Sequence, residues 1–332
     1  MSLARVLVMD TSLQPGEPGG IRMLEEAGVD LRFQSLPISV GAQEFARYLD
    51  GCIGVLAGSH VYNDELFTAV PDLRIVARLG VGYDAIDLKA ATGHDVAVTT
   101  TPGTLEFAVA DHVFGMILNL AHHIGQDDRA IRRGEWRPMW GFDVWRKTLG
   151  IAGMGRIGKM VVQRARGFEM RILAYDPYPD VAFAEANGVE LVSFEELLRQ
   201  SDYLTLHMPM QPDTAKLINA QTLALMKPTA FLINCARGGV IDEDALYDAL
   251  ASGRIAGAGL DVRAVEPPTD NRFAEFENVV LTPHDSGTTD GRRLACGSMA
   301  AGSVLSVIRG EKPAGLLNHE VWPSLERRLR SS

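Results

Sequence analysis

The stretch Leu149-Gly150-Ile151-Ala152-Gly153-Met154-Gly155-Arg156-Ile157-Gly158-Lys159 decides the fold. An apolar, strand-like run enters G-x-G-x-x-G, and a helical stretch over 159–166 leaves it. A second apolar run, 171–175, then ends in Asp176. Each glycine has a physical task in such a turn. Gly153 permits a tight reversal, Gly155 lets the backbone approach a diphosphate, and Gly158 allows helix and strand to pack closely. The helix N-terminus offers unpaired N–H groups and positive potential to the phosphates. Asp176 can accept hydrogen bonds from an adenosine ribose and repels a 2′-phosphate, which favours NAD over NADP. Glycine spacing alone leaves open a methyltransferase that binds S-adenosylmethionine.

Outward from this turn, short apolar runs alternate with helical patterns, the mark of parallel βαβ units. Before it, strands are expected at 5–9, 31–33, 53–57, 74–78 and 96–99, with helices at 21–27, 42–49, 64–69 and 85–91. From 149 the alternation restarts, with strands at 149–152, 171–175, 203–207, 230–234, 257–261 and 279–282. Two doubly wound α/β blocks follow from this pattern. Thr101-Pro102-Gly103 breaks the chain between them, ahead of a long apolar helix over 105–123 that reads as buried between domains or subunits. Three of the four tryptophans, Trp136, Trp140 and Trp145, crowd the loop before the second block. Packing beneath that loop is the plainer expectation, and an aromatic wall for a ligand or a second subunit is the sharper one. A further helix at 292–308 is expected to return to the first block.

The chain carries a formal net charge of −10, so bulk binding to a phosphate backbone is not expected. Cys52, Cys235 and Cys296 have no metal-type spacing and cannot all pair. No metal is expected, and the setting reads as reducing and cytoplasmic. The apolar runs at 6–9 and 113–121 are too short for a signal-peptide core or for the ~20 residues of a membrane span.

Three polar residues follow three successive strands of the second block. Arg237 lies in Asn234-Cys235-Ala236-Arg237-Gly238-Gly239, Glu266 in Val265-Glu266-Pro267-Pro268, and His284 in Thr282-Pro283-His284. In a parallel sheet all carboxyl ends share one edge, where ligands bind, so these side chains fall on the rim that carries the glycine turn. A guanidinium can grip a carboxylate bidentately and polarise a neighbouring carbonyl. A carboxylate beside an imidazole stabilises the imidazolium, which can give a proton to a carbonyl oxygen or recover it. A 2-oxo acid presents a carboxylate and a carbonyl on adjacent carbons. Together these groups predict hydride transfer to or from a 2-hydroxy acid.

The chain resembles the D-isomer-specific 2-hydroxyacid dehydrogenases over roughly 78–295. The resemblance rests on Arg78-Leu79-Gly80-Val81-Gly82-Tyr83-Asp84, Thr101-Pro102-Gly103, Ala110-Asp111-His112, the 153–158 turn, Leu206-His207-Met208-Pro209, 233–239, 259–267 and Thr282-Pro283-His284. It implies a Rossmann NAD-binding domain at 103–288, inserted in a flavodoxin-like substrate domain made of 1–102 and 289–332. It implies Arg237 as ligand of the substrate carboxylate and carbonyl, His284 as general acid and base, and Glu266 as its partner. It puts Val81 and Gly82 at the substrate mouth, and Arg78, His60 and Tyr83 are the candidates for the pocket that takes the substrate's side chain. Arg156, Ile157, Asp176, His207, Pro209, Cys235, Ala236, Asp261 and Gly287 match cofactor positions, Asp261 holding the nicotinamide carboxamide. A homodimer through the 105–123 helix region is also implied. The chain departs from the family's usual pattern at Ala85 and Thr100, and at Asp285-Ser286 after His284. A corepressor group that senses NAD(H) shares the fold and the same polar trio, so a binding protein is the alternative to an enzyme.

Overall fold

The computed structural model describes residues 4–10 and 12–331. Residues 1–3, the start of the expected untargeted N-terminus, lie outside the described residues. The chain divides into two compact units, one of 1–105 and 289–332, the other of 106–288. Residues 103–105, expected with the second block, belong with the first.

The first unit holds strands β1 (Arg5–Val8), β2 (Asp30–Phe33), β3 (Gly54–Ala57), β4 (Ile75–Arg78) and β5 (Ala97–Thr99). They form one parallel sheet in the order β2-β1-β3-β4-β5, the flavodoxin-like arrangement. Successive side chains on a strand point to opposite faces, so an apolar run buried on both sides feeds two cores. Val6 and Val8 pack with Ile21, Leu24, Ala300, Ala301 and Val304. Leu7 and Met9 pack with Phe45, Tyr62, Leu66 and Phe67 on the other face. The expected return of the late helix is observed. Helix Asp290–Ile308 packs on the first sheet through Ala300, Ala301 and Val304, and against helix Gly20–Glu26 so closely that a Cβ on Gly20 would sit 2.1 Å from the Gly297 carbonyl oxygen.

The second unit holds β6 (Thr148–Ala152), β7 (Arg171–Tyr175), β8 (Val189–Leu191), β9 (Tyr203–Leu206), β10 (Phe231–Asn234), β11 (Gly257–Leu260) and β12 (Val279–Leu281). All pairs are parallel, in the order β12-β11-β10-β9-β6-β7-β8, which is the Rossmann winding. The central strands β9, β10 and β11 are buried along their whole length. Strand β8 was not expected. It is a half-exposed edge of three residues, Val-Glu-Leu, with no apolar run to betray it.

Two of the helix boundaries that differ from expectation do so for reasons visible in the local backbone. The helix expected at 85–91 is Leu88–Gly93, because the Asp87 carboxylate caps it, accepting from the N–H groups of Lys89 and Ala90 at 3.0 and 2.9 Å. The helix expected at 105–123 is Glu106–Ala121, and His123 beyond it takes a left-handed φ of 55°. That helix is buried within its own unit, where a Cβ on Gly259 would meet Met116 Sδ at 2.9 Å. The tryptophans are not packed beneath their loop: Trp136 is 90% exposed, Trp140 97% and Trp145 56%. Among the described residues no helix is long and apolar enough to cross a membrane. Cys52, Cys235 and Cys296 are all free and buried.

Candidate active site

The glycine turn follows β6 at the point where the strand order reverses, between β6 and β9. Gly153 has φ 95°, and a Cβ there would lie 2.9 Å from the His207 carbonyl carbon. A Cβ on Gly158 would lie 2.3 Å from the Gly153 carbonyl oxygen, so only glycine lets helix Arg156–Gly167 sit this close. At Gly155 a Cβ would meet nothing within 4 Å, which leaves the backbone open to a ligand. No side chain caps that helix, so the amides around Arg156 and Ile157 keep their positive potential. Asp176, just past β7, accepts from the N–H groups of Met154 and Tyr178, each at 2.8 Å. Each carboxylate oxygen retains a lone pair for a ribose hydroxyl. The residues present therefore fit a dinucleotide.

The other expected cofactor residues lie on the same carboxyl edge: His207 and Pro209 beyond β9, Cys235 and Ala236 beyond β10, Asp261 beyond β11, and Gly287 beyond β12. Burial pushes the His207 imidazole down to about 3, so it is neutral, and its Nε2 lies 3.0 Å from Thr205 Oγ1. Burial pushes the Cys235 thiol up, which makes it a poor nucleophile. The Asp261 carboxyl is 1% exposed. Burial raises its pKa, but hydrogen bonds from Ser286, Thr282 and the Asp285 amide outweigh burial and hold it below the usual carboxylate range. Its Oδ1 accepts from Thr282 Oγ1 at 2.6 Å and from the Asp285 N–H at 3.0 Å, and its Oδ2 accepts from the Ser286 N–H at 3.2 Å. His112 and Asp285 gather with Asp261 within 4.8 Å. Because this internal network already engages both Asp261 oxygens, the trio earns no metal assignment.

His284 and Glu266 meet. The imidazole Nδ1 lies 2.6 Å from Glu266 Oε2. A carboxylate only accepts, so Nδ1 carries a proton and Nε2 is left for a reactant. Burial pushes the Glu266 carboxyl up, but the bonds to His284 and to the Arg263 N–H prevail and hold it below its usual range. His284 has a left-handed φ of 56°, and its N–H donates to the Asp261 carbonyl oxygen at 2.8 Å. A non-glycine residue held in that region costs about 1 kcal/mol or more, a strain that gathers at functional positions.

Arg237 follows β10 on the same edge. Asn234 brackets its loop, accepting from the Ala236 N–H at 3.0 Å and donating to the Arg237 carbonyl oxygen at 2.9 Å. Gly238 joins this loop to the one that carries Glu266, since a Cβ on it would lie 1.9 Å from the Arg263 carbonyl carbon. Sequence reading missed the clamp behind that seam. Glu243 accepts a bidentate bond from Arg263, at 2.9 and 3.0 Å, and a bond from the Ala264 N–H at 2.8 Å. A glutamate opening a helix carries no signal of its own beyond a favourable place at the helix N-terminus. Arg78, Val81 and Gly82 lie in the first unit, at and just beyond the end of β4.

A doubly wound sheet with this turn and this rim defines a dinucleotide-dependent enzyme class. Residues 114–286 match the family of D-isomer specific 2-hydroxyacid dehydrogenases, in its NAD-binding domain. The chain is 46% identical to a glyoxylate reductase of Korarchaeum cryptofilum, over 77% of this chain and 80% of that one. It is 37% identical to a D-3-phosphoglycerate dehydrogenase of Methanocaldococcus jannaschii, over 95% of this chain and 60% of the relative's length. Among solved structures, the D-lactate dehydrogenase of Escherichia coli superposes with a TM-score of 0.84 at 27% identity, over 94% of this chain and 99% of that one. The chain belongs to the D-isomer specific 2-hydroxyacid dehydrogenase family. It is an NAD-dependent oxidoreductase of 2-hydroxy and 2-oxo acids.

Proposed function

We propose that the chain interconverts a small D-2-hydroxy acid and its 2-oxo acid, with Arg237, Glu266 and His284 as the catalytic residues and the unit of 1–105 and 289–332 as the substrate domain. The observation that carries this reading is the 2.6 Å pairing of His284 Nδ1 with Glu266 Oε2 on the carboxyl edge that also bears the dinucleotide turn. In the reducing direction Arg237 grips the substrate carboxylate and draws density from the carbonyl. His284 Nε2 gives its proton to the carbonyl oxygen, and Glu266 steadies the imidazole. The nicotinamide cofactor, when bound, supplies or accepts the hydride at the carbonyl carbon. Gly153, Gly155, Arg156, Ile157 and Gly158 hold the diphosphate, and Asp176 holds the ribose. Pro209, His207, Cys235, Ala236, Asp261 and Gly287 line the rest of the cofactor's path, and the Val81 and Gly82 amides receive the substrate carboxylate.

NADH oxidation by the purified chain with glyoxylate, hydroxypyruvate, pyruvate, phenylpyruvate and 3-phosphohydroxypyruvate tests the reaction. Turnover of one or more is expected. A chain that binds NADH and turns over none of them is instead a nucleotide sensor. Asp176→Ala is expected to weaken NADH binding about tenfold, the worth of a hydrogen bond to a charged group, and to narrow the gap between NADH and NADPH. Fluorescence titration of both cofactors checks this, and a wild-type preference for NADPH would overturn the role given to Asp176.

A homodimer is part of the same reading. Phe107, Ile124, Ile131, Trp136, Trp140 and Trp145 are exposed apolar side chains on and beyond the Glu106–Ala121 helix, and such a concentration favours a partner surface. Light scattering is expected to give twice the chain mass, and the double variant Trp136→Ser, Trp140→Ser to shift the protein towards monomer. A monomeric wild type would remove the dimer from the proposal.

A further inference from the structure

Two guanidinium groups meet on the carboxyl edge of the five-stranded sheet, and one of them has no part in the site described so far. In a doubly wound sheet the ligand crevice opens where the strand order reverses, here between β1 and β3. Asp10 follows β1, Ser59 follows β3, and Arg78 ends β4. Arg292 arrives from the first turn of helix Asp290–Ile308. Its Nη2 donates to the Leu79 carbonyl oxygen at 2.6 Å, and Arg78 Nη1 donates to the same oxygen at 2.5 Å. Arg78 Nη2 also donates to Ser59 Oγ at 3.2 Å. A Cβ on Gly80 would lie 3.0 Å from Arg78 Nη1, so the glycine helps to make room for that side chain.

The charges around Arg292 can be counted off. Its Nη1 lies 4.0 Å from Asp10 Oδ2, at the limit of an ion pair, and Asp10 Oδ1 is already engaged by the Ser12 N–H and hydroxyl at 2.9 and 2.6 Å. Its Nε is buried and makes no hydrogen bond. The neighbouring Arg293 is neutralised by Glu17 at 2.6 Å. Two guanidinium nitrogens bonded to one oxygen are at most ~5 Å apart, so their like charges repel. An anion set beside them would relieve that repulsion and could take forked hydrogen bonds. The loop they hold runs straight on to Val81 and Gly82.

We propose that Arg292, together with Arg78, forms a subsite for a second anionic group on the substrate, so that the preferred substrates are 2-oxo acids with a distal carboxylate or phosphate. This rests on the first unit being the substrate domain of the proposed reaction. Within that reading Arg292 is a specificity residue, with no part in the proton and hydride transfers assigned to Arg237, Glu266 and His284.

The test is steady-state kinetics of the full chain with NADH and four probes: glyoxylate, which lacks a side chain; 2-oxovalerate, whose side chain is neutral; 2-oxoglutarate, with a distal carboxylate; and 3-phosphohydroxypyruvate, with a phosphate. In the wild type kcat/KM for at least one dianion is expected to exceed that for 2-oxovalerate by about tenfold or more, and the better dianion tells carboxylate from phosphate. Arg292→Leu is expected to cut the ratio of dianion to glyoxylate kcat/KM by about tenfold, mainly through KM, with Arg292→Lys intermediate. An equal fall for all four probes would make Arg292 a mere prop of the Leu79 loop and overturn the proposal, as would a wild type that favours 2-oxovalerate. If Arg292→Leu does not fold, salt decides on the wild type. Added NaCl must raise KM for the dianion more than for glyoxylate, because a two-arginine subsite is screened, and equal dependence overturns the proposal. A wild type inactive on all four probes would sink the reaction itself and this subsite with it. Turnover of glyoxylate without dianion preference sinks the subsite alone.

Discussion

Arg237→Ala is expected to lower kcat/KM for any 2-oxo acid about a thousandfold and to leave NADH binding within twofold of wild type. The physical reason is that one guanidinium does two jobs. It fixes the carboxylate through a forked, charge-assisted pair, and it stabilises the negative charge that grows on the carbonyl oxygen as hydride arrives. Losing one such preorganised donor costs about 10²–10³ in rate, and losing the substrate anchor adds to that. Arg237→Lys should recover only part of the loss, since an ammonium keeps the charge without the planar fork. Nothing comparable is expected in cofactor affinity. Arg237 sits one loop away from the glycine turn, and the Asn234 bracket that shapes its loop bonds to the main chain around it, which the substitution leaves in place. NADH fluorescence titration and initial rates on the same preparation separate the two effects. Turnover within tenfold of wild type would remove Arg237 from the chemistry.

Gly238→Ala is the second large effect, and it acts on fold and activity together. The added methyl would lie 1.9 Å from the carbonyl carbon of Arg263, 2.1 Å from its oxygen and 2.3 Å from the Ala264 nitrogen. Those are main-chain atoms, so no rotamer change can clear them. Nor can the strand of chain withdraw easily, because Glu243 holds both Arg263 and Ala264. Overpacking of this kind costs about 1–3 kcal/mol, and a rigid backbone neighbour puts it at the upper end. One side of the seam carries Arg237, and the other donates the Arg263 N–H to Glu266 at 3.0 Å. A shift of about 1 Å in either loop is enough to cost about a hundredfold in turnover. The expected outcome is a clear fall in Tm with near-complete loss of kcat. Gly93→Ala is the control, because a Cβ there meets nothing within 4 Å. A Gly238→Ala protein that keeps both Tm and kcat would show the seam to be looser than the distances imply.

The two parallel sheets, the glycine turn and the common rim of Arg237, Glu266 and His284 were legible in the residues alone. The reason is local. Apolar runs buried on both faces have a period that can be read, glycines at fixed offsets fit one kind of turn, and parallel strands oblige their carboxyl ends to share an edge. The sequence did not reveal edge strand β8, whose three residues are half exposed, nor the exposure of Trp136 and Trp140, which an aromatic cluster in a loop equally suggests to be packed. It took the folded chain to show that Gly238 abuts Arg263, that Glu243 braces Arg263, and that Arg292 reaches the end of β4 from more than two hundred residues away. These contacts join loops remote in sequence. Their geometry follows from how strands and helices are laid side by side, and nothing periodic in the residues records it.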